Sequence, residues 1–360
     1  MKWFFVLGRN PSLSREEVLS YLQARSRKHS EIFFEGNLLV IETADGERFD
    51  IQEFGGVLKL GEILFEGDAE GFASFVSLDE IVPADNFTYA LFGNMEADVL
   101  KEKFKLERKK AIMKHGRNQM ELEGGKKINI SMNSDFSIFL SEFGGNIFYG
   151  LATQNYDSAE VEARDMNKPV RRESLAISPR LSKILVNLSG AKPRDLMMDP
   201  FCGVGGILQE ALLKGIKVYG VDRDRKAIAG AETNLGWMKK KYGFKGSFVL
   251  KAEDSRRIDD LQFGAVATET PLGKVLKKKP KDSEAQKIIT DFEAFIYPIL
   301  QRLKRVKKSN AKIAITFPVI RDFRVDAKKM ARKAGLRVVV GPIKESRSDQ
   351  FISRDVVVFE

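Results

Sequence analysis

The chain is poor in the residues that build disulfides and zinc sites. It has 360 residues, a single cysteine, Cys202, and two histidines, His29 and His115, that lie far apart in the sequence. One cysteine cannot form an intramolecular disulfide, and so few soft ligands cannot assemble a Cys/His zinc site. We therefore predict no metal site and a protein that suits the reducing cytoplasm.

The sequence also lacks a long apolar run. The first apolar stretch, residues 3–7, ends at Gly8 and Arg9. It is too short, and turns polar too soon, for a signal peptide or a membrane span. These features predict a soluble cytoplasmic protein with no membrane partner.

Apolar residues and positive charge are both plentiful. Hydrophobic residues make up 43% of the chain, 26 residues are Phe, and the formal net charge is +10. This length predicts two or three domains, each with material for a core. A basic balance favours a polyanionic partner such as nucleic acid, although a solvated basic surface would produce the same charge.

The first 155 residues predict two small α+β units. Residues 3–7 form a strand pattern, Ser14 and Glu17 have the spacing of a helix capping box, and two further strand patterns follow. A second unit, residues 71–155, combines four strand patterns with a basic segment, residues 96–118, that we expect to be helical. Residues 156–178 are polar and basic, and we expect them to connect this part to a last domain at 179–360.

The last domain shows a regular alternation of strand and helix patterns. After an amphipathic helix at 179–188, strands are expected near residues 195–199, 217–222, 247–254, 264–269, 311–317, 336–343 and 352–360, mostly with a helix between neighbours. This order predicts an α/β fold with a parallel, doubly wound sheet. Only a loop separates the last two strands, so they should pair antiparallel. Seven strands with a terminal hairpin is the plan of Rossmann-like methyltransferases.

Acidic residues end three consecutive strands of this domain. Asp199 precedes a turn that contains Gly203 and Gly205, Asp222 ends the next strand, and Asp254 ends the third. Glycines let a backbone approach a ligand closely, and an acid at the second strand end can accept the hydroxyls of an adenosine ribose. Asp254 could accept the adenine amino group. Any one of these acids could be a helix cap or a surface residue, but that reading explains the set poorly.

Two nucleotide-binding alternatives fit less well. The dinucleotide fingerprint requires a third glycine where this loop has Leu208, and a P-loop requires Ser or Thr after Gly273-Lys274, where the chain has Val275. S-adenosyl-L-methionine fits best, because its charged amino-acid end requires carboxylates and carbonyls rather than a pyrophosphate site.

The chain resembles the archaeal and eukaryotic THUMP-containing tRNA guanosine N2-methyltransferases, which modify position ten of tRNA. The resemblance is strongest in "RDMNKPVRRESLAISPRLSKILVNLSG", "MDPFCGVGGILQEAL" and "YGVDRD", and includes the opening "FFVLGRNPSLSREEV". It implies a ferredoxin-like domain at 1–70, a THUMP-like tRNA-binding domain at 71–155 and a catalytic domain at 179–360. It implies tRNA as partner and, as in some relatives, a small activator subunit. It assigns cofactor binding to residues of the acidic strand ends and the glycine loop: Asp199, Phe201, Gly203, Gly205, Asp222 and Asp254.

The expected catalytic turn departs from that family's pattern. Where the family has Asp-Pro-Pro-Tyr-Gly, this chain has Glu269, Thr270, Pro271, Leu272 and Gly273. We expect Glu269, Pro271 and Leu272 to be catalytic. A strand-end acid there can accept N–H bonds from a target amine, but an aromatic that would stack on a base is replaced by an apolar Leu272. Alternatively, Glu269 is a structural acid in a salt bridge to nearby lysines.

Three hypotheses follow for function. The first is a tRNA methyltransferase that acts on the N2 amine of guanosine. The second is a tRNA-binding homologue with weak or no activity, which the altered turn favours. The third is a methyltransferase for another amine, such as adenine N6 or a protein glutamine, and the basic first half argues against a protein substrate.

Overall fold

The structure is a computed structural model that describes residues 1–75, 85–114, 118–122, 125, 127–130, 134–172, 177–244, 246–271, 279–346 and 351–360. The chain divides into two compact units. The first comprises Met1–Arg15, Arg27–Gln52 and Gly56–Tyr156, and the second Glu16–Ser26, Glu53–Gly55 and Asp157–Glu360.

Among the described residues of 1–155, the structure has ten strands and three α-helices. The strands are β1 (Lys2–Leu7), β2 (His29–Glu35), β3 (Leu38–Thr43), β4 (Val57–Gly67), β5 (Asn86–Phe92), β6 (Lys110–Met113), β7 (Asn118–Glu121), β8 (Lys127–Ile130), β9 (Phe136–Phe143) and β10 (Asn146–Asn155). The helices are α1 (Pro11–Ala24), α2 (Ala69–Ser74) and α3 (Asp98–Leu106).

Eight of these strands form one sheet, in the order β2-β3-β1-β4-β10-β9-β5-β6, and β7 pairs with β8. Strands from both sides of residue 70 therefore share a sheet. The division at residues 70, 155 and 178, and the ferredoxin-like and THUMP-like identities, stay predictions. Much of the phenylalanine is used here: Phe4 and Phe139 stack with centroids 4.6 Å apart in a buried cluster that includes Phe33 and Phe148.

Two local predictions in this region were wrong. Helix α1 begins at Pro11 rather than at a Ser14 cap, because the side chain of Asn10 accepts from Leu13 N (3.1 Å) and proline is favoured in the first turn. Ser14 lies inside the helix and donates to the Asn10 carbonyl at 2.8 Å.

The basic segment at 96–118 is not one helix. Helix α3 ends at Leu106, and Arg108 takes a φ of +57°. Lys109 N then donates to Phe104 O and Arg108 N to Lys105 O, the bond pair that closes a helix in a Schellman motif. Strand β6 follows at once.

The second unit contains the predicted alternation. Its helices are α4 (Ser158–Met166), α5 (Pro179–Leu188), α6 (Gly206–Leu213), α7 (Arg225–Tyr242), α8 (Asp282–Val306) and α9 (Ala327–Ala334). Its strands are β11 (Leu196–Asp199), β12 (Lys217–Asp222), β13 (Phe248–Ala252), β14 (Ala265–Glu269), β15 (Ile313–Ile320), β16 (Phe323–Arg324), β17 (Val338–Glu345) and β18 (Ile352–Phe359).

The sheet of this unit has the order β13-β12-β11-β14-β15-β18-β17, with β16 beside β15. Neighbours from β13 to β15 are parallel, whereas β18 is antiparallel to both β15 and β17. All eight residues of β15 are buried, and α8 packs Ile296, Leu300 and Leu303 into the same core as Ile313 and Ile315. The predicted α/β Rossmann-like fold with an antiparallel terminal hairpin is confirmed.

No helix among the described residues has the length and apolarity to cross a membrane. Within the same residues, no group of three or more His, Cys, Asp or Glu side chains is placed to hold a metal ion.

Candidate active site

The loop after β11 is held in place by Asp199. This residue ends the strand, and its Oδ1 accepts from Phe201 N at 3.0 Å. Gly203 has φ +53° and Gly205 φ +89°, conformations that residues with a Cβ rarely adopt, and Gly205 leads directly into α6. The loop is bonded to the next strand, since Cys202 N donates to Val221 O at 2.9 Å.

Asp222, at the end of β12, closes the other side of this loop. Its Oδ2 accepts from Gly203 N at 3.0 Å and its Oδ1 from Asp224 N at 2.9 Å. A carboxylate can accept about four hydrogen bonds, so two acceptor positions remain beyond these backbone bonds. The structure therefore brings together three residues that the sequence predicts as one site, Asp199, Gly203 and Asp222.

Asp199 is a buried acid with an unusual proton affinity. It is 1% exposed, and Thr268 Oγ1 on β14 donates to its Oδ1 at 2.6 Å. Burial raises the pKa of Asp199 to about 7, against the lowering effect of the Thr268 and Phe201 bonds, and the charges of Asp222 and Glu269 raise it further. Its charge thus depends on pH near neutrality and on any cation bound beside it.

Asp254, the third strand-end acid, is bound within its own turn. It accepts from Arg256 Nε at 2.9 Å and from Arg256 Nη2 at 2.5 Å. These bonds hold the pKa of Asp254 at about 2. The turn is joined to the loop after β11 because Ser255 Oγ donates to Pro200 O at 2.5 Å. The adenine role of Asp254 stays a prediction.

Phe201 lies in the same loop and is half-buried. Its ring is 5.8 Å from that of Phe295 on α8, which is 39% exposed. The edge of the site thus carries an apolar aromatic surface, as a ligand with an aromatic or alkyl part requires.

The turn after β14 is anchored by threonine. Thr270 Oγ1 donates to Thr316 O at 2.7 Å, and Thr270 N donates to Thr316 Oγ1 at 3.3 Å. Both residues are buried, whereas Pro271 is exposed. Leu272, the third predicted catalytic residue, lies outside the described residues. The catalytic roles of Glu269, Pro271 and Leu272 stay predictions.

Glu269 is paired with an arginine that sequence reasoning missed. Arg354 on β18 donates from Nε to Glu269 Oε1, and the two side chains are 5% and 12% exposed. The sequence-based alternative expected lysines as the partners of this acid and did not include Arg354. The sequence does contain an indication of a buried ion pair. The charged residues Arg354 and Asp355 interrupt an apolar strand, and a buried arginine requires an acid as its partner.

These features fit S-adenosylmethionine. A Cβ built on Gly203 would meet nothing within 4 Å, so the space beside this glycine is open. Asp222 offers acceptors for ribose hydroxyls, and the buried Asp199 offers negative charge to a cationic ligand.

Comparison with known proteins agrees with this reading. Residues 169–342 match the family model described as UPF0020: RMKL-like, methyltransferase domain. The chain is 29% identical over 219 residues to a tRNA (guanine(10)-N2)-dimethyltransferase from Pyrococcus abyssi, covering 60% of this chain and 59% of the relative. It is 34% identical over 117 residues to the protein of that name from Methanothermobacter thermautotrophicus, covering 32% and 33%.

A yeast relative and a solved structure extend the comparison. A tRNA (guanine(10)-N(2))-methyltransferase from Saccharomyces cerevisiae is 30% identical over 105 residues, 29% of this chain and 24% of the relative. The crystal structure of TrmN from Thermus thermophilus has the same fold, with a TM-score of 0.53 at 13% identity over 100% of this chain and 99% of that one. The chain matches less than two thirds of the length of each curated relative. Residues 169–342, just under half of the chain, are therefore similar to the UPF0020, RMKL-like methyltransferase domain.

Proposed function

We propose that this chain is an S-adenosylmethionine-dependent tRNA methyltransferase that transfers a methyl group to the exocyclic N2 amine of a guanosine. The observation that carries the proposal is the position of Asp199, Asp222 and Glu269 at the carboxyl ends of neighbouring strands in a methyltransferase domain. Ligands of open α/β sheets bind at this edge. The names of the relatives supply the substrate.

The cofactor side has three contributors. When bound, S-adenosylmethionine supplies a methyl group on a positively charged sulfur. Asp222 would accept the ribose hydroxyls, Gly203 would let the backbone approach, and Asp199 would contribute charge opposite the cationic end. Burial makes the Asp199 charge effective, since the interaction is screened less than in water.

Glu269 is the proposed contact for the methyl acceptor. The guanine amine is a poor nucleophile because its lone pair is delocalised into the ring. A carboxylate that accepts its N–H bonds helps localise that pair, and a fixed position holds the nitrogen near the methyl group. Thr268 and Thr270 supply the fixed position, because they bond the residues on either side of Glu269 to β11 and β15.

The proposed partner is tRNA, and the proposed location of the protein is the cytoplasm. The chain carries a net charge of +10, and exposed basic residues cluster around the end of α3 in the first unit: Lys101, Lys105, Arg108 and Lys110. Binding through such residues releases counterions, so affinity should fall steeply between 50 and 200 mM salt, by about 10³-fold if roughly six phosphates are contacted. A flat salt response would argue against this partner.

The decisive experiment is label transfer. Purified chain with methyl-labelled S-adenosylmethionine should label unmodified tRNA, and Glu269→Gln should reduce transfer at least 100-fold while cofactor affinity stays within about twofold. Glu360→Gln is the matched control, because Glu360 also pairs with an arginine, Arg337, but beside the opposite end of β18. The assay includes one arm with cell extract as a source of any small activator subunit.

A second candidate is a tRNA-binding homologue without transfer activity. It is favoured by the engagement of Glu269 in an ion pair with Arg354. Cofactor and tRNA binding without transfer to any RNA, with and without extract, would select it. Mass-spectrometric identification of the methylated nucleoside separates guanosine N2 from adenosine N6 as acceptor.

A further inference from the structure

The ion pair at the end of β14 spans two strand spacings. Glu269 lies opposite Thr316 of β15, and Thr316 lies opposite Val356 of β18. Arg354 is two residues from Val356, opposite Pro318. Because side chains alternate between the faces of a sheet, Glu269, Thr316, Val356 and Arg354 all point to the same face.

The strand between the two charges is shaped to let them meet. Thr316 is small and Pro318 has a compact ring, so β15 places no long side chain of its own on that face between Glu269 and Arg354. Two strand spacings amount to about 10 Å, which only long side chains can span. The methylene that distinguishes Glu from Asp therefore lets residue 269 reach the guanidinium.

Burial makes the pair specific. The side chains of Arg354 and Glu269 are 5% and 12% exposed, and Arg354 donates through Nε, a group with fixed direction in a planar guanidinium. The acids Asp199 and Asp222 end neighbouring strands, and the charges of Asp222 and Glu269 both raise the pKa of Asp199. Asp355, the next residue along β18, points to the opposite face of the sheet. There, Arg324 Nη1 lies 3.6 Å from Asp355 Oδ2.

We propose that Arg354 is a positioning residue that holds the Glu269 carboxylate for the methyl-acceptor amine, and that Glu269 and Arg354 are one functional unit in place of the family's shorter acid. This inference rests on the proposed function. It explains why the chain has Glu where the resembled family has Asp: the longer acid is directed by the arginine rather than by the strand alone.

The first test changes the arginine. Arg354→Met keeps the length and removes the charge, and Arg354→Lys keeps the charge and removes the directed Nε donor. We expect kcat for label transfer to tRNA to fall at least 10-fold in Arg354→Met, with a smaller loss in Arg354→Lys. The dissociation constants for S-adenosylmethionine and tRNA should stay within about twofold, because the pair acts on the chemical step. Arg337→Gln, at the opposite end of the sheet, is the control.

The second test asks whether Arg354 acts through Glu269. In the double variant Glu269→Gln/Arg354→Met, transfer should be no lower than in Glu269→Gln alone. Glu269→Asp should also lose at least 10-fold in kcat, because the shorter acid cannot reach Arg354. Where a variant at position 354 fails to fold, the Glu269→Asp arm with native Arg354 still tests the proposal.

The outcomes are distinguishable. Wild-type rates in Arg354→Met and Glu269→Asp overturn the inference and leave the proposed function standing, as does an additive loss in the double variant. An equal loss in kcat and in cofactor affinity overturns the positioning role in favour of a purely structural one. No transfer by the wild-type chain to any tRNA overturns the proposed function, and the positioning role of Arg354 with it.

Discussion

The two sides of the site are built in different ways. On the cofactor side, the carboxylates of Asp199 and Asp222 accept from Phe201 N and Gly203 N, and these bonds span at most 19 residues. On the acceptor side, Glu269 depends on Arg354, which is 85 residues away along the chain and on an antiparallel strand. The cofactor side is a local motif, whereas the acceptor side exists only after the whole sheet has formed.

This difference indicates where the domain can vary. A loop whose backbone N–H groups are bonded to strand-end carboxylates tolerates few changes, because each bond fixes the position of the loop. A carboxylate that is paired with a distant side chain can change in length when that partner changes, as the Glu269–Arg354 pair illustrates. We therefore expect substitutions on the acceptor side to lower the free energy of unfolding more, and substitutions on the cofactor side to weaken cofactor binding more.

The largest expected effect is a loss of stability from a substitution on the acceptor side. Arg354→Ala removes the guanidinium of the buried ion pair with Glu269, which costs about 3 kcal/mol in free energy of unfolding. Chemical denaturation monitored by circular dichroism would measure it, with Arg337→Ala as the exposed counterpart, where the loss should be small. Equal losses at the two positions would remove the distinction between a buried and a surface pair.

The next largest effect is a loss of cofactor affinity from a substitution on the cofactor side. Asp222→Ala removes the partner of Gly203 N and the proposed acceptors for the ribose, and hydrogen bonds to charged groups contribute roughly 1.5–3 kcal/mol. The dissociation constant for S-adenosylhomocysteine, measured by calorimetry, should rise roughly 10- to 100-fold. Asp224→Ala serves as the neighbouring control: Asp224 caps α7 and pairs with Arg172, and its loss should alter the constant by less. Equal shifts would contradict the special role of Asp222.

The same contrast explains what the sequence could predict. The alternation of strands and helices, the glycine loop and the strand-end acids are local patterns, and the structure places them within a few residues of the expected positions. Arg354 could not be assigned to Glu269 because pairing across β15 depends on register, which no local pattern encodes. The capping-box prediction failed for a related reason: Asn10 and Pro11 provide a stronger helix start four residues earlier.

A third prediction concerns the proton on Asp199. Its pKa in the folded chain is about 7, above the usual value, so the folded state binds the proton more strongly than the unfolded state. Between about pH 4 and pH 7 the free energy of unfolding should therefore fall as pH rises. Asp199→Asn can still accept the Thr268 bond and should be more stable than the wild type at pH 8, by on the order of 1 kcal/mol, with a smaller difference at pH 5.

The charge neighbours of Asp199 sharpen this test. Asp222 and Glu269 both raise its pKa, so Glu269→Gln should move the pH dependence of stability to lower pH. A denaturation series from pH 4 to pH 8 measures both variants. If Asp199→Asn shows the same pH dependence as the wild type, the titrating group lies elsewhere.

The smallest expected effect concerns Asp254 and its own arginine. Arg256 is mostly exposed, so Arg256→Ala should leave the melting temperature unchanged, while the pKa of Asp254 rises from about 2 toward its usual range because its main hydrogen-bond donor is gone. NMR titration of the Asp254 carboxyl measures this. If Asp254 accepts the adenine amino group, releasing its oxygens from Arg256 should tighten S-adenosylhomocysteine binding about twofold, and Asp254→Ala should weaken it. An unchanged dissociation constant in both variants would remove Asp254 from the cofactor side and confine that side to the loop joined by Asp199 and Asp222.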